Sequence, residues 1–261
     1  MKYSNVLFGK KDGTATITLN RPQALNAINN PLESELSAAL QDAGNDESVR
    51  VIVIRGAGKC FCAGRDLRED IFEQMEDSHK IGAAALDPFE QVETIPKPVI
   101  AAVHGYAITG GFYLAGCCDI VIATEDARFA DTHARWAIRP SGETTQRWSR
   151  KIGLMHAKYM MLTSKFITAR EAYNMGLVAM VVPDGKLDDG IKEVVDSLLA
   201  NSSRSMAHIK MMMNRGNEVD FATALRMEAM MAKWGPRDTE LDNDRQHRLT
   251  EFKEKKRKAT K

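Results

Sequence analysis

The first two thirds of the chain alternate between short apolar, β-branched runs and helical patterns. Strands are predicted at residues 14–19, 51–54, 99–103 and 120–123, with a weaker one at 177–182. Between the first two strands, residues 31–40 carry apolar positions at helical spacing and acidic residues early, where they suit the helix dipole. A right-handed strand, helix, strand path predicts an α/β fold.

From about Lys151 onward the pattern becomes almost entirely helical. The spacing predicts helices at residues 155–162, 169–175, 184–200, 204–213 and 221–233. This part is rich in methionine, and core or subunit-interface packing accounts for that better than an adaptable binding surface does. The C-terminal third is therefore predicted to be a helical lobe.

Composition narrows the function classes. A chain of 261 residues with 44% hydrophobic content can bury a full core. The formal charge of +1 argues against bulk attraction to nucleic acid. No apolar run approaches the length of a signal sequence or a membrane span, so we expect a cytoplasmic protein without nucleic-acid or membrane partners.

The four cysteines occur as Cys60 and Cys62 and as the adjacent pair Cys117 and Cys118. This spacing matches neither a redox C-x-x-C motif nor paired zinc ligands. We expect small buried side chains and no metal site.

Two glycine turns follow predicted strands. Residues 105–114 come after the apolar run 98–103 and open a helix, where first-turn amides have no intrahelical acceptor and can hold a developing negative charge. Residues 58–67 form a similar turn. Together the turns could aim two N–H groups at one carbonyl oxygen, each worth ~3 kcal/mol in the transition state.

Several motifs resemble the crotonase (enoyl-CoA hydratase/isomerase) superfamily. They are N-R-P-x-A-L-N-A-I at 20–28, F-C-A-G-x-D-L at 61–67, P-V-I-A-A-V-x-G-Y-A-x-x-G-G at 98–111, A-R-F-A-D at 127–131 and T-Q-R at 145–147. Their order and spacing are those of the family, over most of residues 12–185. The resemblance implies a β-β-α superhelix core, here residues 1–200, and a C-terminal helical trimerisation lobe, residues 201–261.

The resemblance also implies roles for individual residues. The amides of Arg65 and Gly110 match the oxyanion hole that polarises a coenzyme A thioester, and no cofactor beyond the substrate's own coenzyme A is expected. The positions that match coenzyme A contacts are Ala24, Leu25, Ala27, Ala63, Asp66 and Leu67. In the basic C-terminal stretch, Phe252 lies near adenine and Lys255 near phosphate in this interpretation, whereas a solvated charged tail is the alternative. A homotrimer or a dimer of trimers is implied.

The chain departs from the family where hydratases carry two glutamates. The first position is Tyr113 and the second is His133. Hydration needs a base for water and an acid for Cα. Tyrosine titrates near ~10 and is a poor base, whereas histidine near ~6.5 can serve as either partner. His133 is therefore the leading acid/base candidate, with a structural histidine as the alternative. Tyr113 either donates a hydrogen bond to substrate or water or only packs.

A further carboxylate, Glu143, lies in the loop that faces the acyl group in the family. It either replaces a missing glutamate or caps the following helix. Ser141 stands where some isomerases have an aspartate, so the usual isomerase arrangement is incomplete as well.

We therefore predict an acyl-CoA-processing enzyme of enoyl-CoA hydratase type that stabilises a thioester enolate and uses a non-standard acid/base set. An isomerase or an acyl-CoA hydrolase on the same fold is one alternative. A catalytically silent acyl-CoA-binding subunit is another. The sequence leaves open the acyl group and the choice between hydration, isomerisation and hydrolysis.

Overall fold

The structure is a computed structural model that describes residues 3–68, 87–140, 144–235 and 238–259. It divides into two compact units, Met1–Leu198 and Leu199–Lys261.

The first unit contains two sheets. Their strands are β1 Val6–Lys11, β2 Thr14–Leu19, β3 Val51–Gly56, β4 Val99–Val103, β5 Tyr106–Ile108, β6 Ile120–Thr124, β7 Arg128–Ala130, β8 Ile167–Thr168 and β9 Met180–Val182. The larger sheet has the order β1-β2-β3-β4-β6-β9 and is parallel except for the β1–β2 hairpin. The smaller sheet has the order β5-β7-β8, with β5 and β7 parallel.

Helices follow or precede these strands. In the first unit they are α1 Asn30–Asn45, α2 Pro88–Thr94, α3 Gly110–Cys117, α4 Thr144–Lys151, α5 Leu154–Thr163, α6 Ala169–Asn174 and α7 Leu187–Leu199, whose last residue enters the second unit. The second unit adds α8 Ser203–Gly216, α9 Phe221–Trp234 and α10 Thr239–Ala259. Within the described residues, no helix is both long enough and apolar enough to cross a membrane.

The core of the first unit lies between the larger sheet and the helices. All five residues of β4 are fully buried, as expected for a parallel strand covered on both faces. Helix α1 starts where the Asn29 side chain accepts a hydrogen bond from the Leu32 amide at 3.2 Å. It then buries Leu32, Leu36 and Leu40, three positions at helical spacing.

Helix α4 packs on α3 through one aromatic stack and one glycine. The Trp148 ring lies 3.9 Å from the Phe112 ring, centroid to centroid, at an interplanar angle of 17°. A Cβ on Gly116 would lie 1.9 Å from the Trp148 ring. Helix α3 can therefore approach α4 this closely only because residue 116 has no side chain.

The second unit is held by caps and by polar contacts between its helices. Asp220 accepts a hydrogen bond from the Thr223 amide at 3.0 Å and begins α9. Arg204 pairs with Glu240, and Arg248 donates to the Ala200 carbonyl at 2.8 Å. Several large apolar side chains on α8 and α9 are exposed, among them Ile209, Met213, Phe221, Leu225 and Met230.

The α/β class is confirmed, and the described strands and helices occupy most of the predicted positions. The strand predicted at 177–182 is shorter, because the amides of Leu177 and Val178 donate to the Ala172 carbonyl at the end of α6. No prediction covered β1, the whole smaller sheet, α2 or α10. Helix α10 lacks an apolar stripe, so its periodicity gave no signal.

We expect Gly116→Ala to lower the free energy of unfolding by about 1–3 kcal/mol, because the new methyl group must displace the Trp148 ring. Urea unfolding followed by tryptophan fluorescence measures the change.

Gly44→Ala is the matched control. Gly44 lies in α1, and a Cβ there would meet the Ile95 side chain at 3.5 Å, an ordinary contact distance. It should be neutral or stabilising by up to about 1 kcal/mol. Equal loss of stability in both variants would contradict this packing account.

Candidate functional site

The two glycine turns lie against each other in the structure. Cys62 and Ala107 form an isolated parallel bridge, with the Cys62 amide 2.9 Å from the Tyr106 carbonyl and the Ile108 amide 3.0 Å from the Cys62 carbonyl. Gly64 has φ +95°, and a Cβ on it would lie 2.8 Å from the Ile108 carbonyl oxygen. Glycine at position 64 is thus needed for both the turn and the close approach.

The amides of Arg65 and Gly110 lie at this contact. A Cβ built on Gly110 would lie 3.6 Å from the Arg65 nitrogen, and Gly110 is the first residue of α3. Among the residues that the structure describes, neither amide has a hydrogen-bond acceptor. Two neighbouring amides without acceptors, one at a helix N-terminus, suit a carbonyl oxygen that gains negative charge.

Thr109, which precedes Gly110, has φ 46° and ψ −102°. These values are near the first central residue of a type II′ turn, about +60° and −120°, a position that glycine usually occupies. For a β-branched residue this conformation costs about 1–3 kcal/mol. The turn that presents the Gly110 amide is therefore strained and must be held by its surroundings.

Asn26 joins the segment 21–28 to the turn at 57–60. Its buried side chain accepts from the Arg21 amide at 2.9 Å and donates to the carbonyls of Ala57 and Cys60, each at 2.8 Å. The preceding Leu25, predicted to contact coenzyme A, has φ 51° and is 42% exposed. Asn26 therefore keeps the exposed Leu25 loop in place, a role that the sequence analysis missed.

The Asp66 carboxylate lies between two arginines. It accepts from Arg21 Nη2 at 2.9 Å and from Arg68 Nε at 2.9 Å and Nη2 at 2.7 Å, and it is 4% exposed. Hydrogen bonds from Arg68, reinforced by those from Arg21, hold the Asp66 pKa well below its usual range. The carboxylate thus fixes the start of the segment after Arg65, while its predicted contact with coenzyme A stays a prediction.

The Arg65 side chain points to α1. Its guanidinium makes a two-point pair with Glu33, whose side chain is 8% exposed, and Nη2 lies 2.7 Å from Oε1. The backbone of Arg65 also forms an isolated bridge with Ile28. Side chain and backbone together fix the orientation of the Arg65 amide.

His133 follows β7 and is held by Asp131. His133 Nδ1 lies 2.8 Å from Asp131 Oδ1, and the His133 amide donates to the same oxygen at 3.1 Å. Asp131 is 1% exposed, and its Oδ2 has no partner among the described residues. With Nδ1 bound to the carboxylate, Nε2 is the nitrogen that can exchange a proton. The sequence analysis singled out His133 but missed its Asp-x-His partner.

Tyr113 is 7% exposed, and its ring centroid lies 4.7 Å from that of Phe89. Burial raises the pKa of its hydroxyl far above the ordinary value, and the hydrogen bond to Cys117 acts in the same direction. Tyr113 is therefore a neutral hydrogen-bonding group and not a base. Its contact with substrate stays a prediction.

The remaining predicted residues fall into three groups. Ala24, Ala27, Ala63 and Leu67 lie in the two segments that flank the contact, and Leu67 is 45% exposed. Phe252 and Lys255 are exposed on α10 in the second unit. Glu143 and Ser141 lie outside the described residues.

All four cysteines are buried free thiols. Burial raises the pKa of Cys62 and of Cys117 to about 12. Over the described residues, no cluster of histidine, cysteine and carboxylate side chains could hold a metal ion.

The fold and the two contacting glycine turns define a class, the α/β proteins of crotonase type. A family model for enoyl-CoA hydratase/isomerase matches residues 9–260. The chain belongs to the enoyl-CoA hydratase/isomerase family.

Individual relatives agree with this assignment. The short-chain-enoyl-CoA hydratase of Clostridium acetobutylicum is 36% identical, over 88% of this chain and 88% of its own length. The mitochondrial enoyl-CoA hydratase of Pongo abelii is 34% identical, over 95% and 84% respectively. The crystal structure of an enoyl-CoA hydratase from Bacillus anthracis superimposes with a TM-score of 0.86 at 32% identity, covering 97% of each chain. The expected superfamily, fold and hydratase/isomerase type of enzyme are confirmed, and the exact reaction is left open.

We expect Asp66→Asn to lower the free energy of unfolding at pH 7 by about 2–3 kcal/mol, because it weakens charge-assisted hydrogen bonds to the buried Arg21. The Asp66 pKa is lowered by folding, so its contribution is present above the unfolded value of ~3.9 and is lost as pH falls towards the folded value. The difference between wild type and variant should therefore shrink below about pH 4.

Urea unfolding from pH 3 to pH 7 measures this difference. Asp188→Asn is the control, since Asp188 pairs with Arg55 at 2.6 Å but is 76% exposed and should change stability by less than about 1 kcal/mol. A difference for Asp66→Asn that stays constant across the pH range would contradict the linkage.

Proposed function

We propose that this chain is an acyl-CoA-processing enzyme of enoyl-CoA hydratase type, in which the amides of Arg65 and Gly110 bind the thioester oxygen. The observation that carries the proposal is the approach of these two amides, neither with an acceptor among the described residues. An oxygen that accepts from both is stabilised more as an enolate than as a neutral carbonyl, because the amides are fixed before the reaction. The site thus lowers the barrier to any step that generates the enolate.

In our proposal, His133 supplies the proton transfer. Its Nε2 accepts a proton from water while the water oxygen bonds to Cβ and the double-bond electrons move onto the thioester oxygen. The imidazolium then returns a proton to Cα as the carbonyl re-forms, so the net change is addition of one water. The buried Asp131 carboxylate supports this assignment, since it binds Nδ1 and so sets the orientation of the imidazole, with Nε2 left for the substrate.

Tyr113 has a different part in this scheme. As a neutral, buried hydroxyl it can only donate or accept a hydrogen bond near the acyl group, and its ring packs on Phe89. With Tyr113 limited to hydrogen bonding, His133 is the one acid/base group of this scheme.

Isomerisation is the second candidate, and the single imidazole favours it. Moving a double bond needs one base that takes a proton from one carbon and returns it to another, with the same enolate between. Hydration adds the mass of water, isomerisation leaves the mass unchanged, and thioester hydrolysis releases free coenzyme A thiol.

We expect purified protein to convert at least one 2-enoyl-CoA of a chain-length panel into its water adduct, detected by mass spectrometry. His133→Ala should lower kcat ~10²–10⁴-fold, because it removes general acid/base catalysis. Asp131→Asn should also lower kcat, because an amide can donate to Nδ1 and no longer fixes the ring tautomer that leaves Nε2 as the proton acceptor.

His156→Ala is the matched control, since His156 is an exposed histidine on α5 and should leave kcat within ~2-fold. A double-bond shift without mass change would replace hydration by isomerisation. Binding of acyl-CoA with no product of any kind would favour a silent binding subunit and contradict the enzyme proposal.

We also propose a homotrimer or a dimer of trimers assembled through the second unit. The exposed apolar side chains of α8 and α9, such as Ile209, Phe221 and Met230, support this, because single chains rarely leave so many uncovered. Location in the cytoplasm stays a prediction.

The mass in solution tests the assembly, since one chain is 29.0 kDa. Analytical ultracentrifugation should give three or six times that mass, and Phe221→Asp should shift it towards one chain. A wild-type protein of single-chain mass would contradict the proposed assembly.

A further inference from the structure

The strained turn at Thr109 is tied to the segment that carries His133. The Thr109 amide donates to the Ala130 carbonyl at 2.8 Å, and the Thr132 amide donates to Thr109 Oγ1 at 3.1 Å. The hydroxyls of Thr109 and Thr132 lie 2.7 Å apart. Three hydrogen bonds therefore connect the residue before Gly110 to residues 130–132.

Two of these bonds use the Thr109 side chain, which glycine or valine could not supply. The hydroxyl accepts a hydrogen bond from the Thr132 amide and forms a second one with the Thr132 hydroxyl, in which either oxygen can be the donor. Thr132 is 7% exposed, so little water is available to replace either bond if it is lost.

This connection offsets an unfavourable backbone. With φ 46° and ψ −102°, Thr109 would relax to a commoner conformation if it were free, and the relaxation would rotate the peptide plane that carries the Gly110 amide. The direction of that N–H thus depends on the Thr109 hydroxyl.

We propose that Thr109 is a positioning residue whose hydroxyl, bound to Thr132, aims the Gly110 amide and keeps it in register with His133. This inference rests on the proposed function, because it assigns a task to the oxyanion hole. Residues 130–133 then act as one frame that holds both the second oxyanion donor, through Thr109, and the acid/base imidazole.

Four variants separate positioning from stability. Thr109→Val keeps the β-branched shape and removes the hydroxyl, whereas Thr109→Ser keeps the hydroxyl. Thr109→Gly removes both the hydroxyl and the backbone strain, and Thr132→Val removes the partner hydroxyl. Each is measured for kcat, for KM, and for its melting temperature.

We expect Thr109→Val to lower kcat ~10–100-fold, somewhat less than loss of a whole oxyanion donor, with KM within ~3-fold. Thr109→Ser should restore kcat to within ~3-fold of wild type. Thr109→Gly should melt closer to the wild-type temperature than Thr109→Val does and still lose kcat, because glycine relieves the backbone strain without fixing the turn. A merely structural role predicts the reverse for glycine, with kcat kept whenever the fold is kept.

The carbonyl stretching frequency of a bound enoyl-CoA, read by Raman difference spectroscopy, reports on the oxyanion hole without turnover. Wild type should shift this frequency to lower wavenumber, and Thr109→Val and Thr109→Gly should lose most of the shift. The double variant Thr109→Val/Thr132→Val should lose no more than Thr109→Val alone, because both changes break one connection.

The outcomes separate the two proposals. A shift in wild type that both Thr109→Val and Thr109→Gly retain overturns the positioning role and leaves the proposed function intact. A shift that these variants lose supports the positioning role even where no hydration product forms. No shift in wild type overturns the oxyanion hole and the positioning role together.

Discussion

The parallel pairing of Cys62 with Ala107 is the constraint on which the site depends. It brings two turns from distant parts of the chain into contact, so that Gly64 meets Ile108 and the Arg65 amide lies beside Gly110. Neither turn is a site by itself, because one glycine turn only reverses the chain. Their contact brings the two amides together, and the strands that precede the turns, β3 and β4, are hydrogen-bonded neighbours in the larger sheet.

The polar side chains around the contact bind the turns themselves and hold their backbone in place. Asn26 ties the exposed Leu25 loop to residues 57–60, Glu33 holds the Arg65 guanidinium, and Thr132 holds Thr109. Each of these polar groups is buried with a partner, so losing one would leave the other unsatisfied. The side chains that hold the two amides are thus distinct from His133, the acid/base residue of the proposed function.

Sequence reasoning predicts the strands of the larger sheet other than β1 and singles out the two glycine turns, because each carries a recognisable signal. Strands such as β4 read as unbroken apolar runs, and the turns at Gly64 and Gly110 contain glycines where backbone must approach backbone. It missed Asn26 as a loop anchor, the Asp131–His133 bond and the Thr109–Thr132 connection. These hydrogen bonds depend on the dihedral angles of loops and on which turns come into contact. Neither property produces a periodic pattern in the sequence.

The proposed function requires that the amides of Arg65 and Gly110 together bind a thioester oxygen. A crystal structure with a slowly reacting acyl-CoA bound tests it most directly. The account predicts that the thioester oxygen lies within ~3 Å of both nitrogens, with Cα or Cβ within reach of His133 Nε2 directly or through one water. An acyl-CoA whose thioester oxygen contacts neither amide, or a carbonyl turned towards solvent, would contradict it.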